Sequence, residues 1–396
     1  MKKLNFIGLL LLGVLCFTAC ENDDTDLYPA IKDNTAKTIA IDSTDLTETE
    51  TIPTSSTAAG YDDYVEHAEI DYAVTITYNG TSVTKSGDVN KVTIITSGGN
   101  VKVVSAAKNM KYILKGVTTN GSFKIYSDNK FELVLDGVSI YNPVGAAINN
   151  QCGKTMYVVL GSGTSNYLKD GTSYTMVNGE DMKGTLFSEG QVIFSGAGSL
   201  NVYGNCKNAI VSDDYIRFRP GNKIYIYDTA SNGIKAKDGV YINGGVLNVE
   251  VTANAAKGIN SESKINILGG RTTILTSGSS LIVSADTSSC AAIKCDSVFT
   301  LNGGTVNLKS SGEGGKGINA NKNIYLKGGT INVVTTGAKT YSSPKSIKTD
   351  ADIYVTGGSI YSYSANSSPF DATGTLNIAT GYTTYTNKTN CVVIQY

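Results

Sequence analysis

The chain has 396 residues, with 33 Lys+Arg against 34 Asp+Glu, a formal charge of −1 and 43 Gly. So even a balance excludes a polyanion binder driven by net charge, and with it a general nucleic-acid binder. The single histidine, His67, excludes His-rich metal sites and a His-centred catalytic apparatus deeper in the chain.

In chain order, Lys2 and Lys3 precede an apolar run from Phe6 to Phe17. The run is short for a bilayer span and placed like a signal peptide, predicted over residues 1–20. Phe17-Thr18-Ala19-Cys20 resembles the bacterial lipobox, so Cys20 is expected to be the lipid-modified first residue of the mature chain. Glu21-Asn22-Asp23-Asp24 resembles the acidic export signal of some surface lipoproteins. Together these imply outer-membrane, surface-exposed localisation through the N-terminal lipid alone. Residues 21–65, rich in Thr, Ser and Asp without periodicity, are expected to be a flexible tether. The rest, 66–396, is expected to be one solenoid with irregular first coils and a C-terminal cap.

Five Gly-Gly pairs, Gly244-Gly245, Gly269-Gly270, Gly303-Gly304, Gly328-Gly329 and Gly357-Gly358, are separated by 25, 34, 25 and 29 residues. An independent marker, the series Ile210, Ile234, Ile259, Ile293, Ile318 and Ile347, is spaced 24, 25, 34, 25 and 29. One period near 25 with two insertions indicates a repeat array. Three short β-rich segments per repeat, without a helix, predict an all-β, right-handed parallel β-helix of about twelve coils. Alternation sets Ile234, Val240, Ile242, Leu247 and Val249 inward and Lys235, Tyr241 and Asn248 outward. Ile148 and Leu186 occupy equivalent positions 38 apart, so residues 161–184 read as an insertion. Cys152, Cys206, Cys290, Cys295 and Cys391 form no CxxC pattern, and their pairing is open; Cys290 and Cys295 are near enough to bond.

Phe131-Glu132-Leu133-Val134-Leu135-Asp136-Gly137-Val138-Ser139-Ile140, followed by Gly145-Ala146-Ala147-Ile148, resembles the opening of a carbohydrate-binding family of pectate-lyase-like β-helices found as exported bacterial proteins. Ser199-Leu200-Asn201-Val202, Asn232 to Asp238 and Gly303 to Leu308 fit its coil pattern, and the resemblance spans roughly residues 90–365. It implies calcium-assisted binding of plant-type, often acidic, polysaccharide without established catalysis. One departure concerns the two acids that family coils often carry before Gly-Ile. Here Ser231-Asn232, Ala256-Lys257, Gly315-Lys316 and Pro344-Lys345 stand there, and Lys is no calcium ligand at neutral pH. The remaining calcium candidates are Glu180, Asp181, Asp213, Asp214 and Asp238, with Glu189 one coil away.

Stacking turns outward positions into columns, and these supply the candidate sugar contacts. They are Tyr241, Tyr325 and Tyr354 for ring stacking, Asn248, Asn307 and Asn332 for hydroxyls, and Lys235, Lys294 and Lys348 for uronate carboxylates. The reading is a noncatalytic polysaccharide-binding surface lipoprotein. The alternatives are a structural or adhesive protein with a protein partner at the cell surface and, on weaker grounds, a polysaccharide lyase or hydrolase. A lyase would need a basic residue such as Lys235 or Lys237 beside a metal.

Overall fold

The computed structural model describes residues 35–283, 286–387 and 390–396, so the predicted signal peptide and Cys20 lie outside the described residues. Among the described residues, apart from three short 3-10 turns at Tyr61–Asp63, Val65–His67 and Val89–Lys91, the regular structure is β-strand. Among the described residues no helix is long and apolar enough to cross a membrane.

The strands wind into a parallel β-solenoid of about 11 turns with a period of about 25 residues. One coil runs Ile234–Ala236, Gly239–Ile242 and Val246–Val251, and the next repeats it at Lys257–Ser261, Ile265–Ile267 and Arg271–Thr276. The first strand of each coil stacks into one sheet and the other two into a second, larger sheet. Each Ile of the repeat marker sits directly on the next: Ile210 on Ile234, then Ile259, Ile293, Ile318 and Ile347. Identical side chains stacked in register fill the interior with fully buried Ile, Val, Leu and Phe. One coil cannot bury its own apolar face, so the whole array supplies the core. The second glycine of each of these five repeat pairs has φ between +74° and +84°, the left-handed corner where a Cβ is strained.

The insertions resolve into distinct devices. The longer gap before Cys290 holds a two-stranded hairpin, Leu281–Val283 with Asp286–Ser288. The expected insertion over 161–184 is smaller than the sequence suggested. Ser165–Asp170 is a regular solenoid strand, paired with Ser139–Asn142 and with Ser199–Tyr203. The extra chain is confined to 171–183. Asp170 pins that loop by accepting from the Tyr174 hydroxyl at 2.6 Å and the Asn205 amide at 2.5 Å.

Both ends are closed by antiparallel hairpins, which removes open strand edges. Tyr72–Asn79 already pairs in parallel with Met110–Thr118, so the solenoid begins there, and Ser82–Gly87 folds back over it. At the other end Cys391–Gln395 and Thr383–Asn387 add to Ile353–Ser364 as the expected cap. The five cysteines are free thiols, so Cys290 and Cys295 do not bond.

The largest departure from the sequence reading is the segment expected to be a tether. From residue 35 to 67 the chain lies against the solenoid as a strap, running from the late coils back to the early ones. Thr35 and Lys37 meet Tyr361 and Asn332. Asp42 meets Asn248 and Arg271, and Glu50 and Glu66 meet Arg219. Asp62 meets Lys130. All three arginines of the chain, Arg217, Arg219 and Arg271, pair with strap carboxylates. Glu48 accepts from the amides of Gly245 and Gly270, both at 2.6 Å, and so bridges two consecutive coils.

Candidate functional site

The strap decides which outward columns remain open. Asn248, Asn307 and Asn332 share one column, as expected from their spacing. Outward alternation does not leave them exposed, however. Asn248 and Asn332 are buried, Asn248 donating to the Asp42 carbonyl at 3.0 Å and Asn332 accepting from Lys37 at 2.7 Å. Asn307 accepts from Asn332 at 2.8 Å. Asn248 and Asn332 therefore dock the strap, and their assignment as open sugar contacts is corrected; Asn307 is half-buried beside them and has no strap partner of its own among the described residues.

The tyrosine column lies at the strap margin. Tyr241 is held between the Arg217 guanidinium, 4.6 Å from its ring centre, and the Lys264 ammonium, at 5.6 Å. Tyr215 meets it edge-on at 5.6 Å. Further along, Tyr325 and Tyr354 stack on each other at 5.2 Å, and the Tyr354 hydroxyl donates to Asp352.

The other sheet carries the lysine column with no strap over it. Lys235, Lys294 and Lys348 stand in register with Asn260 and Asn319 between them. Each ammonium meets a carboxylate: Glu262 at 2.9 Å, Asp296 at 2.6 Å and Asp350 at 2.6 Å. Half-exposed pairs of this kind contribute about 0–1 kcal/mol each, so a ligand carboxylate can displace the resident one. Behind them stands a second row, Lys257, Lys316 and Lys345, at the positions where the resemblance led one to look for acids. The Lys316 ammonium donates to the carbonyls of Gly314 at 2.6 Å and Ser343 at 2.7 Å, and to the Ser342 hydroxyl at 3.0 Å. It thus ties two successive turns together with its own charge. A calcium ion does not fit these coils.

Burial first, then repulsion from Lys348 and Lys345 against the pull of Glu313 and Asp371, pushes the Lys316 ammonium down to about 8. Its folded value lies below the unfolded value near 10.4, so between about pH 8 and pH 10 the unfolded chain binds the extra proton. Stability carried by this group therefore rises over that window. Melting curves should show the rise in the wild type and lose it in Lys316→Met; equal slopes in the two proteins would contradict it.

The acidic candidates separate into three groups. The carboxylate oxygens of Asp181, Glu189 and Asp213 all lie within 4.8 Å of one another, the only such trio among the described residues. Lys183 joins two of them, at 2.7 Å to Asp181 and 2.5 Å to Asp213. Burial, then the Asp213 charge, pushes the Glu189 carboxyl above its usual range. Glu180 points elsewhere, toward Lys124 at 2.5 Å and the Tyr126 hydroxyl. Burial pushes its carboxyl up, but those hydrogen bonds outweigh it and hold the group low. Asp214 faces away from the trio, accepting from Gln191 at 2.6 Å and from the Tyr215 amide. Burial, with Asp238 nearby, pushes its carboxyl up. Glu180, Asp214 and Asp238 thus stand outside the cluster, whereas Glu189 belongs to it. The donor chemistry of the trio suits a hard cation that takes carboxylate, carbonyl and water oxygens. Lys183 is the resident cation with which such an ion would compete, and only the structure reveals it.

A solenoid that presents registered columns of Lys, Asn and Tyr along its axis is a scaffold for a linear, repeating ligand. The family model for carbohydrate-binding domain-containing proteins matches residues 90–257 and again 249–390, so the chain belongs to that family. No curated protein matches it. Among solved structures, the polysaccharide lyase-like protein from C. thermocellum, in its gadolinium derivative, aligns at 19% identity with a TM-score of 0.42, over 78% of this chain and 98% of that one.

Proposed function

We propose that this carbohydrate-binding protein is a noncatalytic, lipid-anchored outer-membrane protein that holds acidic polysaccharide on its open lysine face. The observation that carries the reading is the registered column Lys235, Lys294 and Lys348, which the strap leaves uncovered in a member of a carbohydrate-binding family. A uronate chain lying along the axis meets a lysine at every second coil, and weak contacts multiply. Calcium is proposed at Asp181, Glu189 and Asp213, with Lys183 displaced when the ion enters. Lys316 argues against a lyase base in this region, because all three of its N–H donors are engaged.

The test is calorimetric titration of the mature chain with polygalacturonate, with and without chelator. Saturable binding is expected, weakened by Lys235→Ala and Lys294→Ala. Asp213→Asn should weaken calcium binding about ten-fold, and Lys183→Met should strengthen it by removing the competitor. Unsaturated products or new reducing ends would overturn the noncatalytic reading. Palmitate label retained by Cys20→Ser would overturn the anchor.

A further inference from the structure

We infer a second sugar-binding surface, a tyrosine platform on the early coils that takes a neutral, equatorially linked pyranose chain; it rests on the carbohydrate-binding reading above. The outward positions of four successive coils on the strap-bearing sheet carry Tyr141, Tyr167, Tyr203, Tyr225 and Tyr227 in neighbouring columns. Tyr203 and Tyr227 lie 5.5 Å apart, and Tyr225 and Tyr227 lie 6.5 Å apart with ring planes within 2°. Lys169 sits between Tyr141 and Tyr203, 5.8 and 5.7 Å from their ring centres.

Two observations single out this patch. The first is its relation to the strap. In later coils the Tyr225 column continues as Asn248, Thr273, Asn307, Asn332 and Tyr361, the part that residues 35–45 cover. There Ile39 packs on Val334, Tyr361 and Tyr363. This face therefore already holds one extended polymer laid along the axis, the chain's own N-terminal segment. The strap reaches the Asp45–Lys223 pair and then turns toward Gly245 and Arg219. Where its cover ends, the column runs Tyr225, Asn201 and Tyr167, and the neighbouring column adds Tyr227, Tyr203 and Tyr141. The platform thus continues collinear with the occupied groove.

The second observation is charge. Lys223 is paired with Asp45, Lys169 lies between Tyr141 and Tyr203, and the Glu250 charge acts on Tyr227. The charges at the rings balance and form no registered cationic column, so the aromatic surface suits a neutral ligand. Tyrosine rings stack on the apolar C–H faces of pyranoses, and their hydroxyls meet equatorial hydroxyls. The rise of about 4.8 Å per coil is close to the length of one sugar unit in an extended chain, so a chain parallel to the axis stays in step with the rings.

The test uses the mature chain, chelator throughout, and two probes, xylohexaose and polygalacturonate. The wild type should bind xylohexaose, and Tyr203→Ala/Tyr227→Ala should lose about ten-fold in affinity while keeping polygalacturonate binding and the wild-type melting temperature. Tyr203→Phe/Tyr227→Phe should restore most of the xylohexaose binding, because stacking survives without the hydroxyl. A wild type that binds polygalacturonate alone would overturn the platform and leave the acidic-glycan reading standing. Binding of xylohexaose that the alanine pair leaves unchanged would also overturn the platform. Binding of xylohexaose alone would support it and sink the lysine-face reading.

Discussion

Arg219→Ala should release the N-terminal strap while leaving the solenoid wound. Arg219 is buried, with its guanidinium 2.9 Å from Glu50 and 2.7 and 3.2 Å from Glu66, and 4.3 Å from the Tyr64 ring centre. Glu50 also accepts from Asn243 at 2.7 Å and from Tyr64 at 3.1 Å. Removing one partner of a buried pair costs about 3–5 kcal/mol, because the other charge is left uncompensated. The strap lies on the outside of the solenoid and contributes no strand to the coils, so Glu50 escapes that cost by detaching into water. The expected result is cleavage by protease within residues 46–60 and faster hydrogen exchange at the Gly245 and Gly270 amides, which Glu48 otherwise protects. Unchanged protection at both amides would show that the strap is held by something else.

Acid should do the same. Burial pushes the Glu66 carboxyl up, but hydrogen bonds from Arg219 outweigh it and hold the group below its usual range. A depressed carboxylate contributes stability above its unfolded value, about 4.3, and loses it as pH falls through the folded value. Strap exchange should therefore quicken below about pH 4.

The second large effect is Gly312→Ala. A Cβ at Gly312 would lie 1.8 Å from the Gly278 carbonyl oxygen, and one at Gly337 would lie 1.7 Å from that of Gly312. The three glycines stack coil upon coil, so the obstacle is backbone and no side chain can yield. Forcing the coils apart should cost about 3 kcal/mol. The contrast is Gly137→Ala. There φ is +72° and nothing lies within 4 Å of the new methyl, so only backbone strain of about 1 kcal/mol is expected. Because coils open locally, hydrogen exchange in Arg271–Thr276 and Thr305–Ser310 is the suitable measurement. Equal protection in the two variants would contradict the stacking argument.

The coil pattern was legible because in-register stacking repeats the same demand at the same offset. Ile210 to Ile347 and the Gly-Gly pairs record it twice, and even the equivalence of Ile148 and Leu186 holds as a direct pairing. The strap was not legible, since each of its contacts is made once. Glu48 finds Gly245 and Gly270 across some two hundred residues, and no local period encodes that. A faint signal existed: only three arginines in the chain, and acids concentrated between Asp42 and Glu66. The same blindness explains the asparagine column, where alternation gave the right direction but hid the cover. In the acidic cluster, sequence proximity grouped Glu180 with Asp181, whereas the bend of the 171–183 loop sends Glu180 to Lys124 and leaves Asp181 beside Asp213 and Lys183.

The strap also sets the polarity of the rod. Because it runs from the late coils toward the early ones, the first described residue, Thr35, emerges beside Tyr361, near the C-terminal end. The point of departure of the N-terminal segment is therefore the late end of the solenoid, although the first solenoid strand, Tyr72–Asn79, lies at the opposite end. Were Cys20 lipidated, as proposed, the anchor would be tied to the solenoid beside its last coils. A direct linker into Tyr72 would have tied it at the first coil instead.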